Sequence, residues 1–202
     1  MTAPRLHALG QADADAVTLR CRSAHAFQTW MRKNHSASAG VWLEIAKPGA
    51  PQATISYAAA VEIALCYGWI DGQKKAKDAM YWLQRFTPRR PRSLWSKVNR
   101  ARAEALIAAG RMQASGRQEI DRAKMDGRWD AAYDSARTAV VPTDLQAELD
   151  AHPKARAFFS TLDAANRYAV LWRVQTAKKP ATRARRIETL VAMLARGDKI
   201  HP

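Results

Sequence analysis

Strand-like patterning in this sequence is confined to its first half, and that confinement is the strongest constraint on what the chain can fold into. Val41-Trp42-Leu43-Glu44-Ile45-Ala46-Lys47 alternates, is rich in strand formers, and is closed by Pro48-Gly49. Trp69-Ile70-Asp71-Gly72-Gln73 leads into a second strand to about Lys77, Asp78-Ala79 makes a tight turn, and Met80 to Phe86 reads as the return strand of a hairpin. Past Pro142 only helical periodicity remains. Pro142-Thr143 starts one short helix and Pro153 takes the first position of another, which carries Phe158 and Phe159. Tyr168, Leu171 and Trp172 define a third, and Ile187, Leu190, Val191 and Leu194 the last, which Gly197 closes. The fold class expected is α+β: a small, mostly antiparallel sheet of about three or more strands packed with helices, then an all-helical C-terminal part. Periodicity fails over residues 135–143, which predicts a linker between an α+β domain at 1–134 and a helical domain at 142–202.

The first half also carries helix signals. Ala24, Phe27 and Met31, with Trp30 alongside, follow helical spacing from Ser23 to the Gly40 turn. Ser56 is suited to cap a helix over Tyr57 to Tyr67 with Val61, Ala64, Leu65 and Gly68 inward. Ser93 is expected to cap another that carries Leu94, Val98, Ala101 and Ala105 and ends at Gly110. A further helix is expected from Gln113 to Met125, followed by an Asp126-Gly127-Arg128-Trp129 turn.

Charge bears on partners. Across 202 residues, 33 Lys and Arg against 18 Asp and Glu give a formal net charge of +15, which favours nucleic acid, an anionic membrane surface or acidic ligands as partners. The bland reading is a solvated arginine-rich surface. Cys21 and Cys66 both sit in apolar, helix-like settings and read as small buried hydrophobes. Histidines and cysteines show no metal-ligand spacing, and no glycine-rich phosphate loop or nucleophile elbow occurs, so neither metal nor cofactor is expected. The stretch Met1 to His7 shows no secretory pattern, and the longest apolar run, Ile63 to Ile70, is too short to span a bilayer. Cytoplasm is the expected compartment.

The cations gather in two runs without acids. The first holds Arg85, Arg89, Arg90, Arg92, Lys97, Arg100 and Arg102, with Trp82, Phe86 and Trp95 interleaved. Arginines beside aromatics suit phosphates and stacked bases, and a helix starting at Ser93 would add backbone donors. The second, Arg173, Lys178, Lys179, Arg183, Arg185 and Arg186, lies across a helix start at Pro180, where cations oppose the macrodipole. It reads as a basic surface. Beside the first run stand two carboxylates, Glu62 and Asp71. They are either an acid and base pair flanked by arginines or a salt-bridge network that fixes helix and hairpin. The candidate ligand set is Glu62, Asp71, Arg85, Arg89, Arg90, Ser93, Trp95 and Asn99.

These residues fall in long motifs: Ile55-x-Tyr57-x-x-x-Val61-Glu62-x-Ala64-Leu65-Cys66-Tyr67-Gly68-Trp69-Ile70-Asp71-Gly72, Arg85-Phe86-Thr87-Pro88-Arg89, Ser93-x-Trp95-Ser96-x-x-Asn99, and Asp126-Gly127-Arg128-Trp129. Ala177-Lys178, Thr182-Arg183 and Arg186-Ile187 follow in the C-terminal part. Over residues 23–197 the chain resembles the YdeI/OmpD-associated family, a bacterial group catalogued under bacteriocin protection. The resemblance implies a role in resistance to bacteriocins or cationic antimicrobial peptides, with some members described as periplasmic, and it brings no catalytic residues. A protein of charge +15 repels a cationic peptide, which argues against direct sequestration. The function expected first is stress resistance through an anionic small molecule or polyanion. Nucleic-acid binding through both runs and an enzyme using Glu62 and Asp71 are the alternatives.

Overall fold

The computed structural model describes residues 17–202, so the Met1 to His7 stretch lies outside the described residues. The elements are β1 (Thr18–Leu19), α1 (Ala24–Asn34), β2 (Val41–Ala46), α2 (Tyr57–Cys66), β3 (Trp69–Ala76), β4 (Tyr81–Pro88), α3 (Lys97–Ala108), α4 (Ala114–Met125), α5 (Thr143–Ala151), α6 (Pro153–Thr161), α7 (Ala164–Gln175) and α8 (Pro180–Ala195). The class is α+β. None of the helices among the described residues is long and apolar enough to cross a membrane.

The chain divides into two compact units, one formed by residues up to Ser93 with Ala101–Trp129, the other by Leu94–Arg100 with Asp130–Pro202. The division differs from boundaries at 134 and 142, because the segment after Ser93 and the residues after Trp129 belong to the helical unit.

In the first unit the four strands run in the order β1-β2-β4-β3, with β1 parallel to β2 and the other pairs antiparallel. β4 is therefore central. Its neighbours occupy both edges, so Leu83, Gln84, Arg85 and Phe86 are all buried on a strand whose residues alternate between faces. Helix α1, capped by the Ser23 hydroxyl, buries Phe27 and Met31, and the Phe27 ring meets Phe86 at 5.7 Å. Helix α2 is capped by Ser56, as its sequence predicts, and turns into β3 at Gly68, whose φ of 76° is cheap only for glycine. Helix α4 docks on the end of α2 through Gly116, where a Cβ would stand 2.3 Å from the Cys66 carbonyl oxygen. Both cysteines are free and buried, but Cys21 lies between β1 and α1 rather than in a helix.

Helix α3 begins at Lys97, not at Ser93. The Ser93 hydroxyl accepts from the Arg90 amide in a turn, and Ser96 accepts from the Asn99 amide at 3.1 Å instead. The buried residues of α3 are Ala103 and Leu106, whereas Val98 is 39% exposed. Leu94, Trp95 and Ser96, three residues of the expected helix, thus lie outside it.

The second unit is built on one apolar cluster. Leu145 and Leu149 of α5, Ala155 and Phe159 of α6, Val170, Leu171 and Val174 of α7, and Ile187, Leu190, Val191 and Leu194 of α8 are all buried in it. Pro153 and Pro180 sit in the first turns of α6 and α8, where the missing amide hydrogen costs nothing. The backbone of Tyr133 pairs with Trp95 and Lys97, and the Lys97 ammonium lies 2.9 Å from Asp134.

Candidate anion-binding groove

The cations of the first run differ in burial. Arg85 and Arg89 are each 5% exposed. The Arg85 guanidinium lies 5.7 Å from the centre of the Trp42 ring, and the Arg89 amide bonds the Gly68 carbonyl at 3.0 Å. Arg90 is exposed, and Ser93 is held in the turn described above, with its carbonyl accepting from Arg128 at 2.8 Å. Trp95, buried, and Asn99, half-buried, belong to the second unit. The eight candidate residues are therefore divided between the two units.

The two carboxylates are tied separately. The Tyr57 hydroxyl donates to Asp71 at 2.5 Å, while Arg111 Nη1 donates to Glu62 at 3.0 Å. Tyr57 and Glu62 are five residues apart on α2, which turns them roughly 140° from each other about the axis. The buried acid of this unit is one the sequence reading passed over: Glu44, 2% exposed on β2, held by Arg20 Nε at 2.5 Å and by the Lys77 ammonium. A lone acid within an apolar strand was the available signal, because burial of an ionised carboxylate requires cationic partners.

The second run is arranged differently. Arg183 forms a bidentate pair with Asp144, Nε to Oδ2 at 2.5 Å and Nη2 to Oδ1 at 2.8 Å, and donates to the Val174 carbonyl. These bonds hold the Asp144 carboxyl below its ordinary value and raise the guanidinium. Lys178 and Lys179 are exposed at the start of α8. Arg173, Arg185 and Arg186, by contrast, line a groove of about 670 Å³ together with Lys199 and Trp172. Leu190, Met193 and Ile200 give this groove an apolar floor.

Local bonding sets the groove's shape. Arg186 Nη1 donates to the Arg173 carbonyl at 2.7 Å, and Arg173 Nη1 to the Ala169 carbonyl at 3.0 Å, so both guanidiniums are braced against the end of α7. Trp172 is 38% exposed, with Tyr133 edge-on at 6.3 Å. Its exposure departs from the inward role read for it: the buried stripe of α7 runs through Asn166, Val170, Leu171 and Val174, and residue 172 lies roughly 160° from residue 170 and from 174 on a helical wheel. Asn166, 1% exposed, accepts the amides of Ile200 at 3.1 Å and His201 at 2.9 Å and so pins the tail that brings Lys199 to the groove. Neither Asn166 nor Lys199 was singled out from sequence, since each depends on a contact between distant segments.

A second concavity of about 790 Å³ on α8 is lined by Asp144, Glu148 and Glu188 as well as by Arg183 and Arg185. Its charges offset one another. The groove at Trp172 has four cations and no carboxylate among its lining residues, so it is the one with uncompensated positive potential.

Comparisons with known proteins divide the chain at a similar place. A model described as a domain of unknown function (DUF8412) matches residues 19–119, and one described as bacteriocin-protection, YdeI or OmpD-associated matches residues 138–197. The second match supports the resemblance read from the sequence, over the C-terminal helices; the longest motifs fall under the first. Searches of curated proteins and of solved structures each gave no match. By the extent of these matches the chain belongs to the family described as a domain of unknown function (DUF8412), whose model covers half of its length, while its C-terminal segment is similar to the family described as bacteriocin-protection, YdeI or OmpD-associated.

Proposed function

We propose that this protein binds a phosphate-bearing anion in the groove between α7 and α8, and that a role in bacteriocin or stress resistance runs through that ligand. One observation carries the reading: Arg173, Arg185, Arg186 and Lys199 line a single groove without a carboxylate among them. The groove falls within or beside the segment matched by the bacteriocin-protection family. Binding an anion suits a +15 protein better than binding a cationic peptide. The compartment in this reading is the cytoplasm, which fractionation against a periplasmic marker checks.

Exposure of Trp172 at the same groove favours single-stranded nucleic acid as a second, narrower reading, because an indole beside arginines offers a base a stacking surface. Both readings are tested by titrating the full chain with inorganic phosphate, a nucleoside triphosphate and a short oligonucleotide over a range of salt. The expected result is affinity that falls as salt rises, with a slope near 0.7 per phosphate contact for a single strand. Arg185→Gln and Lys199→Gln each remove about 0.7 from that slope, and Trp172→Ala weakens the oligonucleotide while leaving inorganic phosphate unchanged. Salt-independent binding, or variants that titrate like the parent, would overturn the assignment.

A further inference from the structure

The first unit contains a smaller cleft that has nothing to do with the basic runs. It measures about 260 Å³, with Ile63, Cys66 and Tyr67 at its floor and Gln28, Arg111 and Gln113 around its rim. The floor residues are buried, at 5%, 5% and 7% exposure respectively. All belong to one compact unit.

Arg111 is placed there by the way α3 ends. Gly110 takes a φ of 67°, its amide bonds the Ile107 carbonyl at 3.0 Å, and the Arg111 amide reaches back to Leu106 at 2.9 Å, which is the paired closure of a Schellman end. The chain is then held to α2 by the Gln113 amide, which donates to the Cys66 carbonyl at 3.0 Å. Glu62 accepts from Nη1 of Arg111 and orients the guanidinium, whose other donors make no hydrogen bond among the described residues.

Tyr67 supplies the second observation. It is more than nine-tenths buried and its hydroxyl makes no hydrogen bond among the described residues, while the oxygen itself keeps some access to solvent and so is open to a ligand. Burial raises its pKa against the pull of Arg32, and burial likewise raises that of the Cys66 thiol, which keeps the sulfur protonated and unsuited to nucleophilic work. The cleft thus offers a guanidinium, a phenol and amides over an apolar floor, in a space below the usual size of drug-like pockets.

We propose that this cleft binds a small carboxylate, with the carboxylate on Arg111 and the apolar end against Ile63 and Cys66. A guanidinium matches a planar carboxylate through two parallel hydrogen bonds. Glu62 stands beside Arg111 to accept an ammonium, so an α-amino acid and a simple aliphatic acid share the recognition and differ only in that contact.

The test is an NMR titration of the full chain with propionate, leucine and inorganic phosphate as probes, read at the backbone amides of Arg111 and Gln113. Saturable shifts with either carboxylate and none at these amides with phosphate are the expected result; tighter binding of leucine identifies the ammonium contact with Glu62, and equal binding assigns the simple acid. Arg111→Gln should weaken binding roughly tenfold or more, the usual worth of a charge-assisted bond. Tyr67→Phe should weaken it about threefold and leave Tm no lower, because the hydroxyl has no internal bond to lose. Absence of saturable shifts with both carboxylates, an Arg111→Gln variant that binds like the parent, or a fall in Tm with unchanged binding in Tyr67→Phe would each overturn the proposal. The groove on α7 and α8 contributes nothing to this outcome, so the two assignments fail independently.

Discussion

The two units use the same excess of cations in opposite ways. In the first, several arginines and lysines are tied to a buried acid or to aromatic rings: Arg20 and Lys77 on Glu44, Arg85 against Trp42, Lys74 and Lys75 over the rings of Trp82 and Trp42 at 4.4 and 4.1 Å. In the second, Arg183 pairs with Asp144, Lys97 with Asp134, Arg156 with Asp150 and Arg196 with Asp198, while Arg173, Arg185, Arg186 and Lys199 line a groove without acids among its lining residues. The difference teaches that an acid-free run in a sequence does not mark a binding surface. What matters is whether the run falls on a central strand, whose side chains must be buried, or on a helix whose outer face is free.

The sharpest way to break this contrast is to neutralise cations in each unit and compare stability. Arg20→Met with Lys77→Met leaves the Glu44 carboxylate buried without partners, which should cost about 3–5 kcal/mol in urea unfolding. The matching pair in the second unit, Arg185→Gln with Lys199→Gln, should change stability by less than about 0.5 kcal/mol. Equal losses from the two pairs would erase the distinction between structural and available charge.

Next in size is Asn166→Ala. It removes the amide that holds residues 200 and 201, and the expected loss is about 2 kcal/mol, with the freed amides exchanging hydrogen faster. Anion affinity should fall with it, because Lys199 leaves the groove. Intact affinity would show that the tail is not part of the site.

The smallest effect concerns the Asp144–Arg183 pair. The Asp144 carboxyl is held below its unfolded value, so its contribution to stability is complete above the ordinary carboxylate range and disappears as pH falls through the lowered folded value. The side chain is 47% exposed, so solvent screening limits the effect to under about 1 kcal/mol. The stability difference between the parent and Asp144→Asn should be present at neutral pH and vanish in acid; a difference that persists in acid would assign it to packing instead.

Much of this architecture was legible in the residues. The strand at 41–47, the hairpin turn at Asp78-Ala79, the helix beginning after Ser23, the cap at Ser56 and the helix start at Pro180 follow from alternation, turn chemistry, periodicity and capping, which are local properties. Strand β1 has two residues and no pattern to read. The misplaced start of α3 has a physical reason: Ser93 and Ser96 both fit the capping pattern, and the choice between them is made by backbone pairing of Trp95 with Tyr133, nearly forty positions away. The groove was half legible for the same reason, since Arg173, Arg185 and Arg186 share neighbouring helices while Lys199 arrives through Asn166.

Helix α3 carries one consequence for how the chain can be divided. Its first turn is counted with the helical unit and its later turns with the sheet unit, and one unbroken ladder of hydrogen bonds runs through both. A break in that ladder strips hydrogen bonds from the turns on either side of it. A fragment beginning at residue 130 would lack the backbone partners of Tyr133 as well as the Lys97 contact to Asp134. The segments that fold together are therefore not contiguous, and a dissection that respects them has to carry Leu94–Arg100 along, by circular permutation rather than by a cut.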